Sequence, residues 1–250
     1  MLLLAPLALA VGHRHVVPAA AAASTPTRSS PEPAPSRPSK LEKQRYVVAA
    51  IGDSLTDTRV GGGRYLAELQ KRCPKSRFDA YGVGGQRTDH MRWRLTQNLF
   101  GVGLPRRLSR NKPHYTHVII FGGVNDLLAG LLVGPARLRR TERNLSWMYR
   151  TAREHGVKVI AMTVPPWGRL RGVVDRRVQA THRLNTWMFK QEELGKLDAV
   201  FDTYPLLSCG DPNVLCRRYR RFVNDDVHWG RRGHKLIGDA LYKQVFPDCE

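Results

Sequence analysis

The side chains best suited to chemistry in this sequence fall in four short segments, each rich in glycine or in acidic and hydroxyl groups. Residues 52–55 read Gly-Asp-Ser-Leu, residues 82–86 read Gly-Val-Gly-Gly-Gln, residues 122–126 read Gly-Gly-Val-Asn-Asp, and residues 225–229 read Asp-Asp-Val-His-Trp. Alone, each segment has an ordinary explanation, because Ser and Asn often cap helices and glycines often form turns. Their occurrence together in this order favours a shared chemical role.

The residue types in these segments match the needs of acyl transfer. That reaction requires a hydroxyl nucleophile, a base that takes its proton, and an acid that orients the base. We predict Ser54 as the nucleophile, His228 as the base and Asp225, three residues before it, as the orienting acid.

Donors for the developing oxyanion are also present. We predict that the backbone N–H groups of Ser54 and Gly85 and the side-chain amide of Asn125 form the oxyanion hole. No His, Asp, Glu or Cys cluster has metal-ligand spacing, so we expect neither a metal nor another cofactor. The glycines after residue 82 lack the Lys-Ser/Thr of a phosphate-binding loop.

Three other acids lie close to these residues. Asp226 competes with Asp225 as the orienting acid, although the Asp-x-x-His spacing favours Asp225 and leaves Asp226 as a solvated or structural acid. Asp53 and Asp57 flank the serine, and we expect them to brace its loop or cap the following helix.

Apolar runs alternate with amphipathic stretches along most of the chain. The runs are short and rich in Val, Ile, Phe or Tyr, as is typical of strands, whereas the longer stretches have helical periodicity. The predicted strands are Tyr46–Ile51, Arg77–Tyr81, His117–Phe121, Lys158–Thr163 and Ala199–Asp202, and the predicted helices are Arg64–Arg72, Arg137–His155, Asp175–Leu194 and Gly233–Val245. This alternation predicts an α/β fold with a parallel sheet between two helix layers, whose strand ends carry the chemistry.

With its four segments in this order, the chain from about Tyr46 to Phe246 resembles the GDSL or SGNH hydrolases, a family of esterases and lipases. The resemblance implies a flavodoxin-like, three-layer α/β/α sandwich with a five-stranded parallel sheet, no metal, and hydrolysis of esters or thioesters through an acyl-enzyme. Two positions depart from the family pattern. Gly84 stands where a polar residue often precedes the oxyanion glycine, and Trp229 replaces a common Pro, which could reshape the acyl or leaving-group pocket.

The N-terminal part differs in composition from the rest. Residues 1–23 combine an apolar run with small residues and predict a signal peptide, although no Lys or Arg precedes the run. Residues 24–45 are rich in Pro and Ser and predict a disordered linker. We therefore expect a hydrolase domain at 46–250, a secreted or periplasmic location, and no transmembrane span in the mature protein, because the apolar run is too short.

The sequence contains four cysteines. Cys209 and Cys216 bracket a turn and predict a small disulfide loop, which leaves Cys73 to pair with Cys249. Such bridges would agree with export, and four unpaired buried thiols are the alternative.

Charge is the main clue to the substrate. The chain carries 41 Lys and Arg against 21 Asp and Glu, a net charge of +20, most of which lies after residue 45. We expect the arginines of the segment 87–114 to form one wall of the cleft and those of 217–221 to lie near the His228 loop. Trp93, Trp167 and Trp229 could provide surfaces for sugars or acyl groups, or simply pack in the core.

These observations predict an exported serine esterase that acts on an acylated cell-envelope or polysaccharide substrate, with an anionic envelope surface as a further partner. A lysophospholipase or a thioesterase would use the same residues. From another class, a secreted polyanion-binding module with little activity would explain the charge without catalysis. We do not expect a nucleic-acid partner.

Overall fold

The computed structural model describes residues 42–128, 134–167, 176–211 and 213–250. Five strands form one sheet in the order β2-β1-β3-β4-β5, and every neighbouring pair is parallel. The strands are β1 (Val47–Gly52), β2 (Arg77–Gly82), β3 (His117–Phe121), β4 (Lys158–Met162) and β5 (Ala199–Phe201). This order confirms the predicted flavodoxin-like parallel sheet.

Helices cover both faces of the sheet and complete the predicted three layers. They are α1 (Arg64–Arg72), α2 (Thr88–Phe100), α3 (Arg106–Arg110), α4 (Val124–Leu128), α5 (Pro135–Glu154), α6 (Arg176–Glu193), α7 (Tyr204–Leu207) and α8 (Arg231–Gln244). Helix α1 packs against α8 in one outer layer, and α5 packs against both α2 and α6 in the other.

The core lies between the sheet and the two helix layers. Val48, Ile51, Val118 and Val159 are fully buried, as expected for β-branched runs in central strands that are covered on both faces. The consequence for function is that all five strands end at the same edge of the sheet, where the loops after β1, β2 and β3 meet.

Helix α2 is the main element that the sequence did not predict. Its 13 residues span about 20 Å at 1.5 Å per residue, so it leads the chain away from the carboxyl edge of the sheet. At its far end, Phe100 stacks on His155 at 4.2 Å between ring centres, just before β4 begins. Arg106, Arg107 and Arg110 follow on α3 at that end, so the expectation that they line the cleft is wrong.

Both predicted disulfides are present, Cys73–Cys249 and Cys209–Cys216. The predicted signal peptide at 1–23 and most of the predicted linker at 24–45 lie outside the described residues. Gln44, at the end of that linker, already pairs with Cys249 through a β-bridge, so ordered contacts begin before residue 46. Among the described helices, none is both long and apolar enough to cross a membrane.

Candidate active site

Ser54 lies on a tight turn directly after β1. The backbone carbonyl of Asp53 accepts hydrogen bonds from Thr56 N at 3.0 Å and Asp57 N at 2.9 Å, which closes the turn immediately after the strand. The side chain of Asp53 also accepts from Leu55 N at 3.0 Å. The turn therefore holds Ser54 at the carboxyl edge of the sheet.

The structure brings Ser54, His228 and Asp225 together, although 174 residues separate the serine from the histidine. Ser54 Oγ lies 2.8 Å from His228 Nε2. On the other side of the ring, His228 Nδ1 lies 3.1 Å from each carboxylate oxygen of Asp225. An imidazole protonated at Nδ1 donates to Asp225 and leaves Nε2 to accept the serine proton.

Asp225 is held as a carboxylate. Partial burial acts to raise its pKa, but backbone N–H donors from His228 at 2.8 Å and Val227 at 3.1 Å outweigh it. With the added attraction of the imidazole, the pKa of Asp225 falls below its usual value. The competing acid Asp226 instead forms an ion pair with Arg220 at 2.7 Å.

The loop that carries His228 is closed by backbone pairing. Arg220 and Trp229 form an antiparallel bridge, in which Arg221 N donates to His228 O at 2.8 Å and Gly230 N donates to Tyr219 O at 2.7 Å. Trp229 is 1% exposed and packs on core aromatic rings. It therefore anchors the histidine loop from below and does not line a substrate pocket.

The predicted oxyanion donors lie on the turns that follow β1 and β2 and in the first turn of α4. The backbone N–H groups of Ser54 and Gly85 have no acceptor within the described part of the chain. Gly85 has a φ of +73°, a left-handed conformation that favours glycine, and a side chain there would point into open space. Asn125 Nδ2 donates to Gln86 O at 2.9 Å, which fixes its amide beside the same loop and leaves its second N–H for a ligand.

Asp57 joins the serine loop to the glycine loop. Its carboxylate forms an ion pair with Arg59 at 2.8 Å and accepts from Gly84 N at 2.9 Å. The hydrogen bond from Arg59 is the main reason that the pKa of Asp57 falls to about 2. The sequence-based expectation that this acid braces the loop agrees with these contacts.

Gly82 explains why the two loops can approach so closely. A Cβ atom at this position would lie 2.1 Å from Asp57 N, so any side chain would push the serine loop away from the end of β2. The glycine is thus required by close backbone approach.

Arg94 supports the site from below, so the expectation that this arginine lines a wall of the cleft is wrong. This arginine is 7% exposed and lies under the two loops. Its guanidinium donates to Gly52 O, Tyr81 O and Gln86 Oε1, each at 2.6 Å. Because Gln86 O in turn accepts from Asn125, Arg94 links the base of the serine loop to the oxyanion loop. Burial lowers the pKa of Arg94 to about 10, so the guanidinium stays protonated at neutral pH.

Asp53 is fully buried next to the serine. Burial raises its pKa to about 7, against the hydrogen bond from Leu55 N, and one carboxylate oxygen has no partner within the described part of the chain. A protonated Asp53 would relieve the cost of placing a charge there.

The three tryptophans of interest have different environments. Trp167 is 2% exposed and donates to Thr181 Oγ1 at 3.0 Å, so like Trp229 it packs in the core. Trp93 is 84% exposed. Among the described residues, no group of three or more His, Cys, Asp or Glu side chains is arranged to hold a metal.

The parallel sheet brings Ser54 together with His228 and Asp225 at its carboxyl edge, and Ser54 does not lie in a Gly-x-Ser-x-Gly turn. The sequence profile of the GDSL-like lipase/acylhydrolase family matches residues 50–236. The chain therefore belongs to that family, whose members as a class are ester hydrolases, and the resemblance drawn from the four segments is confirmed. No curated protein sequence matches this chain significantly.

Solved structures with the same fold include several esterases and lipases. A GDSL-like lipase from Bacteroides thetaiotaomicron has a TM-score of 0.61 at 20% identity, over 81% of this chain and 88% of that one. An acetyl xylan esterase has a TM-score of 0.60 at 18% identity, over 80% and 99% of the two chains. A lipase/acylhydrolase from Enterococcus faecalis has a TM-score of 0.59 at 16% identity, over 83% and 98%. At these identities, the likeness shows the fold alone.

Proposed function

We propose that this protein is a serine esterase that works through an acyl-enzyme formed on Ser54. One observation carries the proposal: Ser54 Oγ lies 2.8 Å from His228 Nε2, while Asp225 holds the opposite nitrogen of the ring. This is the relation between nucleophile, base and orienting acid that acyl transfer requires.

The first half-reaction forms the acyl-enzyme. As Ser54 Oγ bonds to the ester carbonyl carbon, its proton passes to His228 Nε2, and Asp225 stabilises the imidazolium. The carbonyl oxygen takes up negative charge between the N–H groups of Ser54 and Gly85 and the Asn125 amide. The carbon–oxygen bond to the alcohol then breaks, and His228 returns the proton to the departing alkoxide.

The second half-reaction releases the acid. A water molecule gives a proton to His228 and attacks the acyl carbon, and the oxyanion donors again stabilise the tetrahedral intermediate. The bond to Ser54 Oγ breaks, and the serine regains its proton from His228. Every proton transfer runs through the same imidazole nitrogen.

We propose further that the enzyme is exported and that its substrate is an acylated polysaccharide or another acylated polymer of the cell envelope. Two disulfides support a location outside the cytoplasm, since such bridges persist in oxidising compartments. The net charge of +20 supports an anionic target. Arg59 and Arg221 lie close to the Ser54 loop, because Arg59 pairs with Asp57 and Arg221 donates to Val60 O.

A substrate panel tests this proposal. Purified enzyme is assayed for acetate release from acetylated polysaccharides, with p-nitrophenyl acetate as a small neutral reference. We expect hydrolysis of both, and kcat/KM for an anionic ester should fall as salt rises, because screening limits attraction to about 8 Å at physiological ionic strength. If the enzyme hydrolyses the small ester but none of the acetylated polymers, the proposed substrate class is wrong, while the proposed esterase activity still holds.

Lipid esters are the second candidate substrates, because exposed apolar side chains lie on the loops near Ser54 and His228. A Cβ atom at Gly84 would lie 3.9 Å from Ser54 Cβ and 4.0 Å from Val60 Cγ2, so Val60 and the serine both lie next to the same glycine. Phe222 and Val223, on the turn that leads to Asp225, are 64% and 66% exposed. Faster hydrolysis of lysophospholipids than of acetylated polymers would favour a lysophospholipase.

A polyanion-binding module with little activity is the alternative from another class. It predicts that the protein binds acidic polymers but hydrolyses none of the esters, thioesters or lysophospholipids in the panel. The assembled Ser54–His228–Asp225 arrangement favours the enzyme.

A further inference from the structure

A groove on the outer surface between α2 and α5 combines aromatic rings with arginines. It encloses about 610 Å³ and lies apart from the Ser54–His228 pair, on the helix layer that contains α2 and α5. The side chains that define it are Asp89, Arg92, Trp93, Arg140, Arg143 and Trp147. We call this surface the α2–α5 groove.

Trp93 gives the groove an open aromatic face. The ring is 84% exposed, more than any other exposed large hydrophobic side chain in the described part of the chain. Leaving so much apolar surface in water is unfavourable, and the ring shares its groove with a second tryptophan, Trp147. Across the groove, Trp147 lies under the guanidinium of Arg92, 4.8 Å from its ring centre. This cation–π contact holds Arg92 in place at the rim.

The charges of the groove are unbalanced. Arg87 and Arg140 both pair with Asp89, at 3.0 Å and 3.2 Å. Arg92 and Arg143 have no carboxylate partner among the residues that the structure describes. Two guanidinium groups that line the groove together with Trp93 and Trp147 are thus left without a carboxylate, and each is able to bind one through two parallel hydrogen bonds.

The floor of the groove is fixed by a buried polar network. Asn144 Nδ2 donates to Thr88 Oγ1 at 3.1 Å, and Thr88 Oγ1 donates to Asp126 Oδ1 at 2.7 Å. Thr88 N adds a further bond to the same carboxylate at 2.9 Å. Because these bonds join α2 to α5 through α4, the groove is formed before any ligand arrives, which lowers the ordering cost of binding.

The position of the groove suits a chain that also reaches the nucleophile. Helix α2 begins three residues after Gly85, and α5 likewise begins on the carboxyl side of the sheet. Asp89 lies in the first turn of α2, and Arg140 lies in the second turn of α5. The groove therefore starts next to the oxyanion loop and runs away from it along the helices.

We propose that the α2–α5 groove binds an anionic polysaccharide, with a sugar ring stacked on Trp93 and carboxylates of the chain paired with Arg92 and Arg143. The apolar C–H face of a pyranose matches an exposed aromatic ring, and uronic acid carboxylates match the guanidinium groups. This proposal extends the proposed function by naming how a polymer is held. It does not require hydrolysis, so its failure and that of the proposed function can be told apart.

Single-stranded nucleic acid could also use aromatic rings and arginines, but two observations favour the sugar polymer. The protein has two disulfides, which are typical of compartments where nucleic acid is not a usual partner. Nucleic-acid channels also stack successive bases on several rings, whereas the described residues of this groove include one highly exposed ring, Trp93, and a second, Trp147, that Arg92 covers.

The test measures binding of polygalacturonate, which carries no ester, to the Ser54→Ala protein. Tryptophan fluorescence and calorimetry follow the titration, with neutral dextran as the comparison polymer. We expect polygalacturonate to bind and dextran not to bind. In this background, Trp93→Ala and Arg143→Ser should each raise Kd by about tenfold, the scale for an aromatic or arginine anchor.

Matched variants separate the groove from overall charge and from misfolding. Trp93→Phe keeps an aromatic face and should retain most of the affinity. Arg107→Ser removes one positive charge from exposed α3, at the far end of α2, and should leave Kd unchanged. Circular dichroism and Tm check that each variant is folded.

Several results would overturn the proposal. An unchanged Kd in Trp93→Ala would show that the ring takes no part. If Arg107→Ser raises Kd as much as Arg143→Ser does, net charge alone would explain the effect of Arg143. If dextran binds as tightly as polygalacturonate, the arginines do not contribute to recognition. Tighter binding of a single-stranded oligonucleotide or of phosphatidylglycerol vesicles than of polygalacturonate would assign the groove to a different partner.

Discussion

Replacing Asp225 by Asn tests the catalytic arrangement through the protonation state of one ring. In the structure, Asp225 Oδ1 accepts from Val227 N and His228 N, and both carboxylate oxygens face His228 Nδ1 at 3.1 Å. An asparagine keeps the backbone contacts through its carbonyl oxygen and turns its NH₂ group toward Nδ1. The imidazole must then accept at Nδ1 and carry its proton on Nε2.

The cost follows from that change of tautomer. With the proton on Nε2, the ring cannot accept the proton of Ser54 Oγ, which lies 2.8 Å away. The imidazolium formed during attack would also lose its carboxylate partner. The corresponding change in a Ser-His-Asp protease lowers kcat by about 10⁴-fold, and we expect a loss of about 10³- to 10⁴-fold here. That loss corresponds to about 4 to 5.5 kcal/mol of transition-state stabilisation.

The neighbouring acid provides the control. Asp226→Asn removes the same charge one residue away, but Asp226 pairs with Arg220 and not with the imidazole. We expect this variant to lose stability and to keep kcat for p-nitrophenyl acetate within about tenfold of the parent, because it makes no contact with a reacting atom. Both variants are compared with the parent by steady-state kinetics and by Tm.

Two results would refute the reasoning. An Asp225→Asn enzyme within tenfold of the parent in kcat would mean that this carboxylate does not set the tautomer. Equal losses in the two variants, at equal Tm, would mean that Asp226 shares the role of the orienting acid.

Further expectations concern the oxyanion hole, a buried carboxyl and a disulfide. Asn125→Ala should lower kcat by about 10²- to 10³-fold, with little change in KM or Tm, because it removes one oxyanion donor; an unchanged kcat would exclude the amide from that role. Because burial raises the pKa of Asp53 to about 7, the folded state holds its proton while the unfolded state releases it near pH 4. Stability should therefore fall between about pH 4 and pH 7, by at most about 4 kcal/mol, and stay level above that range. In Asp53→Asn, urea unfolding should lack this decline, and an identical pH profile would contradict the assignment. Replacing Cys73 and Cys249 by Ser should lower the free energy of unfolding by up to about 5 kcal/mol, because their bridge spans a separation of 176 residues. Removing the Cys209–Cys216 bridge, which spans seven residues, should lower it by about 2 kcal/mol. A larger loss for the Cys209–Cys216 bridge, measured by calorimetry under the same conditions, would contradict the role of chain entropy.

Local sequence patterns were sufficient to predict the sheet. Each of the five predicted strands lies within one residue of the observed strand at both ends, because short runs rich in Val, Ile, Phe or Tyr fit a buried sheet well. The first three motif segments also follow β1, β2 and β3 as predicted, because parallel strands deliver the loops after them to a common edge, whereas the fourth lies just before α8.

Helix α2 was missed because its inner face is not simply apolar. Met91, Leu95 and Leu99 are buried at helical spacing, but Arg94 is buried among them and Trp93 points to solvent. Because a buried arginine lies next to an exposed tryptophan, the sequence lacks the clear amphipathic pattern that predicts a helix. For the same reason, Arg94 was expected on a wall of the cleft. The three carbonyl oxygens that accept from its guanidinium come together only in the folded chain.

Long-range contacts set the limit of prediction within the candidate site. Gly-Asp-Ser-Leu and Asp-x-x-His suggested which side chains could react, but nothing local indicated that Asp57 would bind Gly84 N or that Trp229 would fill the core beneath the histidine loop. Those contacts join segments far apart in sequence, and they are visible only in the folded chain.

Covalent labelling with a fluorophosphonate tests directly whether Ser54 is the nucleophile. The reagent forms a bond to an activated serine oxygen and leaves a mass increase that peptide mapping assigns to one residue. We predict a single adduct on Ser54 and loss of esterase activity in step with labelling. A Ser54→Ala protein with the Tm of the parent should show neither labelling nor activity. A stoichiometric adduct on another residue, or full esterase activity in the Ser54→Ala protein, would contradict this prediction.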